Sequence, residues 1–226
     1  MTFKKINHAF IMAAGRGTRL MPLTKKIPKG LVKFKQSSLI ASGIKKLKKY
    51  IDFVHISVGY KGPILAKHLI EEKVSSIINT DKKGNSWWIF NFPFNLLNEP
   101  IVVLTCDNIT NIDFKLLKKD YMQKKSPPCF LIPVKPIKKL DGDYIHRKKN
   151  IVTKLSRKNK SDIYCSGIQI INPYQVNKLV NKTKDFNTLW NKLIKKNKLY
   201  VSDIIPKQWF TIDKMEHLNI FKKNLS

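Results

Sequence analysis

The sequence predicts an α/β protein: an open, mostly parallel mixed sheet with helices on both faces. Short apolar runs of strand length alternate with longer segments whose apolar residues recur at helical spacing, the pattern of a sheet wound with helices. One run, Ile101–Thr105 (IVVLT), is continuously apolar, as a strand covered on both faces must be. No repeat, linker or low-complexity block divides the 226 residues, of which 42% are hydrophobic. One domain spanning residues 1–226 is therefore expected, with a core large enough to exclude disorder.

The elements follow in order. His8–Ala13 reads as a buried strand and Gly15–Thr18 as the loop after it. Ser37–Tyr50 carries an apolar helical stripe (Leu39, Ile40, Ile44, Leu47) behind a serine suited to cap it. Phe53–Val58 is a strand ending at Gly59-Tyr60. Pro63–Glu72 is a helix, Val74–Ile78 a strand, and Trp87–Leu97 of mixed helical character. Ile101–Thr105 ends at Cys106-Asp107-Asn108. Asp113–Gln123 is a helix and Cys129–Val134 a strand. The second half is richer in strands: Asn150–Ser156, Ile163–Ile171 and Gln208–Ile212. Its helices are Asn172–Asn181, with Pro173 near the start, Thr188–Lys196 and Lys214–Lys223. Ligands of such sheets sit at the carboxyl ends of the strands. That places Ala14–Arg19, Gly59-Tyr60 and Asp107 on one rim.

Composition bounds the function. Lys+Arg number 44 against 15 Asp+Glu, a net charge of +29, and nearly all of the excess is lysine. Arginine occurs only at 16, 19, 147 and 157. Enrichment in Lys, Asn and Ile is what an AT-rich genome produces, and a basic surface attracts anions in general. No nucleic-acid motif or Arg-rich arm accompanies the charge, so no specific nucleic-acid partner is expected. No apolar run is long enough to cross a membrane. The apolar stretch after Lys4-Lys5 is broken by Gly15, Arg16 and Gly17, unlike a signal peptide. Cys106, Cys129 and Cys165 form no paired spacing, so neither a disulfide framework nor a zinc site is indicated. A reducing, cytoplasmic setting is expected.

The most specific segment is AAGRGTRLMPLTKKIPKGLV, residues 13–32. Glycines 15 and 17 let the backbone turn sharply and present N–H groups to an anion. The segment matches neither Gly-x-x-x-x-Gly-Lys-Ser/Thr nor Gly-x-Gly-x-x-Gly. Two of the chain's four arginines, Arg16 and Arg19, fall here, which suggests a demand for forked contacts to phosphate.

AAGxGTRLxPLT followed by PKxLV resembles the signature of the sugar-1-phosphate nucleotidyltransferases. The resemblance continues at Val58–Lys61, Asn85-Ser86, VVLTCDN (102–108), SGIQIINP (166–173) and WFTID (209–213). It implies a Rossmann-like, GT-A-like nucleotidyltransferase fold, with residues 1–110 as the nucleotide half and 111–226 as the acceptor half. It further implies that Ala14, Gly15, Gly17, Thr18 and Gly59 line the nucleotide and that Asn85 and Ser86 lie near the base. Arg19 and Lys29 would be catalytic cations. Asp107 and Asp213 would hold Mg²⁺, and Lys154, Gly142, Ser166 and Gly167 would face the acceptor. The implied partners are a nucleoside triphosphate and a phosphorylated small molecule, with homodimerisation left open. The implied setting is supply of cell-envelope polysaccharide precursors.

Taken without the resemblance, Asp107 is a turn former, Asp213 a helix cap and Lys154 one lysine among many. Trp87-Trp88 reads as packing rather than base stacking, and Asp141-Gly142-Asp143-Tyr144 as a turn. The chain also departs from the family pattern. Cys106 replaces the glycine before the metal aspartate, and Thr211 stands where an acidic residue is usual. Those two positions keep a second reading open: a nucleotide-sensing homologue with impaired catalysis. Asn85-Ser86 and the WFTID ending tilt the base towards cytosine. The compact size resembles minimal single-domain members that use UTP or GTP with a hexose 1-phosphate.

Overall fold

A computed structural model describes residues 6–137, 140 and 142–223, with side chains described up to residue 219. The elements, in order, begin with β1 (His8–Met12), the short α1 (Leu23–Lys26), β2 (Lys33–Phe34), β3 (Ser37–Ser38) and α2 (Leu39–Leu47). Next come β4 (Phe53–Val58), α3 (Gly62–Glu71), β5 (Ser76–Asn79), β6 (Ile101–Thr105), β7 (Asn108–Asn111), α4 (Phe114–Gln123) and β8 (Cys129–Val134). The remainder is β9 (Tyr144–Lys148), β10 (Ile151–Ser156), β11 (Tyr164–Ile171), α5 (Pro173–Leu179), α6 (Phe186–Lys195), β12 (Leu199–Val201), β13 (Gln208–Thr211) and α7 (Met215–Lys223).

Nine strands form one sheet in the order β5-β4-β1-β6-β11-β8-β12-β10-β9. The block β5-β4-β1-β6 is wholly parallel. Beyond it β11 runs antiparallel to both β6 and β8, and β12 is parallel to β8. Alternation along the central strands explains why helices cover both faces. Ala9 and Ile11 of β1 and Val102 and Leu104 of β6 join one core with Ile40 and Ile44 of α2 and Leu65 and Leu69 of α3. Phe10, Ile101 and Val103 join the opposite core with Trp88, Val176 of α5 and Leu189 and Leu193 of α6.

Most boundaries fall within a residue or two of expectation, and the shifts have local causes. The helix expected from Ser37 starts at Leu39, because Ser37-Ser38 pair with Lys33-Phe34 and Ser38 caps the Ala41 amide at 3.2 Å. The strand expected at Val74–Ile78 is Ser76–Asn79. Val74 is spent on closing α3, its amide reaching the Leu69 carbonyl. Trp87–Leu97 resolves into two 3-10 turns, Trp87–Phe90 and Phe94–Leu96. Five strands go unread in the sequence: the two-residue β2 and β3, and β7, β9 and β12. NITN looks like a turn, YIHRK is polar, and LYV is short.

Two features of the fold position the site. A small ribbon, separate from the main sheet, pairs β7 with β13, with Asn108 opposite Thr211. A third apolar cluster (Leu20, Val32, Phe34, Leu39, Ile212, Leu218) pins the segment after β1 to the chain beyond β13.

Candidate active site

The carboxyl ends of β1, β4 and β6 open onto a cleft of about 680 Å³ lined by Ala14, Gly15, Arg16, Tyr60 and Asp107, among others. The rim expected from topology is therefore formed. Gly59 packs so closely on β1 that an added Cβ would lie 2.8 Å from the Ala14 carbonyl oxygen, and the Tyr60 amide donates to that oxygen at 3.0 Å. Gly17 has φ +60°, and a Cβ there would stand 3.1 Å from both Lys29 and Thr24. The Thr24 hydroxyl fixes this turn by donating to the Gly17 carbonyl at 2.8 Å. Arg16 lies over the Tyr60 ring, 5.8 Å from its centroid.

The cations and carboxylates meet at the end of β6. Lys29 Nζ donates to Asp107 Oδ2 at 2.5 Å and to Asp213 Oδ1 at 2.8 Å. Arg19 pairs with the other oxygen of Asp213. The Thr211 hydroxyl donates to Asp107 Oδ2 at 3.0 Å. Burial on its own would raise the Asp107 carboxyl, but the Lys29 ammonium and hydrogen bonds from Lys29, Thr105 and Thr211 together outweigh it and hold the group below its usual range. Burial likewise pulls Lys29 down, and Asp107 and its neighbours more than restore it. Both members are thus ionised at neutral pH. Burial pushes the Cys106 thiol up to about 12, with Asp107 adding to the effect, so Cys106 is neutral and inert.

The ribbon explains how residues so distant in sequence meet: Asp107 immediately precedes β7, and Asp213 follows β13 by two residues. Asn108 locks the turn between them, accepting from the Thr105 amide at 3.0 Å and the Thr105 hydroxyl at 2.9 Å. Two carboxylates close enough to share one ammonium can also share one small hard cation. Such an ion favours one or two carboxylates completed by ligand and water oxygens. No group of three or more His, Cys, Asp or Glu converges among the described residues. The donor set therefore fits Mg²⁺ bound together with a phosphate ligand.

A second cavity of about 300 Å³ adjoins the first, sharing Met12, Asn85, Thr105 and Asp213. Gly142, Ser166 and Gly167, the residues expected to face an acceptor, line it. Gly167, at φ +78°, sits in the irregularity between Cys165 and Ile168 of β11. That kink turns the Ser166 carbonyl towards Trp209 Nε1 (3.0 Å) and Asn108 Nδ2 (3.2 Å).

Other expected site residues stand elsewhere. Ser86 is fully buried and its hydroxyl donates to the Thr183 carbonyl at 3.0 Å, so it fastens the loop from behind. Asn85 reaches both cavities while accepting from the Phe186 amide at 2.9 Å. Lys154 is exposed in β10 opposite His146 and lines neither cavity. Gly17, Thr18 and Gly59 shape the loop without lining the cleft. Trp88 is 2% exposed and stacks on Phe10 at 4.0 Å, which is packing. Asp141 of the Asp-Gly-Asp-Tyr turn lies outside the described residues, as do Met1–Lys5. The sequence reading missed Asn108, Arg157 and Asp185. Asn108 could have been found from its place directly after the strand-end aspartate.

The nucleotidyl transferase family model matches residues 8–141, more than half of the chain and most of the cleft. The chain belongs to the nucleotidyl transferase family. It is similar to the bifunctional protein GlmU of Methanococcus aeolicus, at 29% identity over 109 residues, 46% of this chain and 26% of that protein. It is also similar to the choline-phosphate cytidylyltransferase of Streptococcus pneumoniae, at 51% identity over 53 residues, 23% of each chain. The chain thus spans about a quarter of the length of each relative in these alignments. The solved CTP:phosphocholine cytidylyltransferase from the same species superposes with a TM-score of 0.77 at 20% identity, covering 98% of this chain and all of that one. The inositol-1-phosphate CTP transferase from T. maritima gives a TM-score of 0.77 at 17% identity, over 99% and 96%. The chain therefore has the fold of these family members. No helix among its described residues is long and apolar enough to cross a membrane.

Proposed function

We propose that the chain is a Mg²⁺-dependent nucleotidyltransferase. It joins a nucleoside triphosphate to a sugar 1-phosphate or a similar small phosphate and releases pyrophosphate. The carrying observation is the meeting of Lys29, Arg19, Asp107 and Asp213 in the cleft at the carboxyl ends of the strands.

The acceptor's phosphate oxygen is already an anionic nucleophile and needs no serine, cysteine or histidine to activate it. It forms a bond to the α-phosphorus of the triphosphate while the bond from that phosphorus to the pyrophosphate oxygen breaks. The work left to the protein is alignment and neutralisation of charge. The backbone at Ala14 and Gly15 lets phosphates approach closely. Arg19 and Lys29 face the oxygens that gain charge as pyrophosphate leaves. Asp107 and Asp213 would hold Mg²⁺, which when bound supplies further neutralisation of phosphate oxygens.

Asp213 supplies a second carboxylate although Thr211 occupies the usual acidic position, which favours an active enzyme over a sensor. The cytosine tilt of Asn85 is supported by the cytidylyltransferases among the relatives. A cytoplasmic supply of envelope precursors remains the setting we favour.

Pyrophosphate release across the four common triphosphates and a panel of phosphorylated acceptors tests the reading. Asp107→Asn and Lys29→Gln are each expected to lower turnover by about 10²–10³, the size of losing one preorganised charge contact. Circular dichroism checks that each variant still folds. Near-parental turnover in either folded variant removes its residue from the mechanism.

A further inference from the structure

His217 stands beside one of the two carboxylates, and no step of the reaction uses it. It lies in the first turn of α7 and is 3% exposed. Phe210, itself packed on the cluster of Leu20, Ile212 and Leu218, meets its ring edge-on at 5.8 Å. Leucine or phenylalanine is the ordinary occupant of such apolar surroundings. Histidine is the less stable choice here, because its Nε2 is buried and finds no partner among the described residues. A buried polar atom with no hydrogen bond carries an uncompensated desolvation penalty.

The other ring nitrogen has a partner, and that partner is the reason for the histidine. The Asp213 amide donates to His217 Nδ1 at 3.3 Å. An amide N–H only donates, so Nδ1 is the acceptor and the ring proton sits on Nε2. The contact resembles the reach-back half of a capping box, in which a side chain of the first helical turn holds an amide just before the helix. Residues 212–214 join β13 to α7. The Ile212 amide ties this joint to the Asp107 carbonyl at 3.2 Å. The bond to His217 then fixes the next peptide, and with it the direction in which the Asp213 side chain leaves the backbone. That side chain reaches Lys29 through Oδ1 and Arg19 through Oδ2.

We propose that His217 is a positioning residue. It acts through Asp213, setting that carboxylate where it can share a divalent cation with Asp107. This rests on the transferase reading above and deepens its metal site. A side chain with an acceptor at the position of Nδ1 does the same work; an apolar one of similar size fills the space and leaves Asp213 unset.

Mn²⁺ serves as the probe, its binding to the full chain read from the electron paramagnetic resonance signal of the free ion. His217→Leu should weaken binding about tenfold, the scale of one lost hydrogen bond. His217→Asn, which puts an oxygen where Nδ1 stands, should bind as the parent does. In an Asp213→Asn background His217→Leu should have no further effect, because the histidine acts only through that carboxylate. Melting curves check that each variant folds. If His217→Leu does not, His217→Gln replaces it, since its oxygen lies one bond further out. Equal Mn²⁺ binding by the parent and the folded Leu variant overturns the proposal. So does an Asn variant as weak as the Leu variant, or a parent that binds no Mn²⁺. Pyrophosphate release is read separately against Mg²⁺ concentration. His217→Leu should raise the half-activating concentration by a larger factor than it lowers the rate at saturating Mg²⁺. The expected Mn²⁺ pattern in a parent that releases no pyrophosphate with any triphosphate and acceptor sinks the transferase reading and leaves His217 in its role. Release by the parent and the Leu variant with the same Mg²⁺ dependence does the reverse.

Discussion

Lys29 stands between two carboxylates and helps hold the charge on Asp107. Replacing it by methionine leaves Asp107 and Asp213 facing each other with Asp107 buried. Breaking such a pair costs about 3–5 kcal/mol. The Asp107 carboxyl sits below its ordinary range in the fold, so its contribution is complete above that range and lost as pH falls through the folded value. Lys29 is raised, so its contribution persists until pH climbs above its own folded value. Lys29→Met should therefore lower the melting temperature more at pH 7 than at pH 3. Mg²⁺ should also raise the variant's melting temperature more than the parent's; an equal shift would mean that the two carboxylates do not hold the ion. A second residue, in the middle of β4, adds its own pH dependence. Burial, aided by the His8 ring 2.9 Å away, pushes His55 down to about 4. The unfolded chain binds that proton more readily, so stability should fall as pH drops from 6.5 to 4. His55→Gln should flatten this slope in a series of melting curves. Arg19, Lys29, Asp107 and Asp213 were legible in the sequence because a long motif and two strand ends announce them. Ser86 was not, because its partner Thr183 lies 97 residues away.

Helices and buried strands were legible where apolar period and capping residues agree. Phe53–Val58, Ile101–Thr105 and Cys129–Val134 match to the residue, and Asp113 caps the amides of Lys115 and Leu116. Helix ends were less legible, because the chain has only nine glycines and uses other residues where glycine is the usual stop. Lys73 after α3, Lys125 after α4 and Asn197 after α6 all take positive φ, at 50°, 62° and 54°. A lysine in this conformation costs about 1–2 kcal/mol relative to its ordinary backbone states. Lys73→Gly should therefore stabilise the protein by about 1 kcal/mol after glycine's own entropy cost is subtracted. That corresponds to roughly 2–4 °C for a chain of this size. Calorimetric melting of the single variant checks it, and an unchanged or lower midpoint would show that the turn is not strained. Short polar strands such as β9 stayed hidden because their neighbours in the sheet, not their own pattern, hold them in place.

Taken whole, the molecule divides its charge. A few cations and carboxylates are locked together at the strand ends, while most lysines face solvent and repel one another. Raising ionic strength from about 0.01 to 0.15 M shortens the screening length from about 30 to 8 Å. The melting temperature should rise over that range; a fall would mean that attractive surface pairs dominate. The cleft rim was legible from topology alone, since ligands gather where parallel strands end. The separate ribbon was not, and it is the part with the widest reach. With Mg²⁺ bound as proposed, β7 and β13 would be the backbone of a chelate, flanked by its two donor groups. Linkage runs in both directions: a cation gripped by both carboxylates must tighten the pairing of Asn108 with Thr211. Occupancy at the strand ends would thereby be written into amide exchange along the ribbon, and this pairing of distant segments would report on the proposed ion.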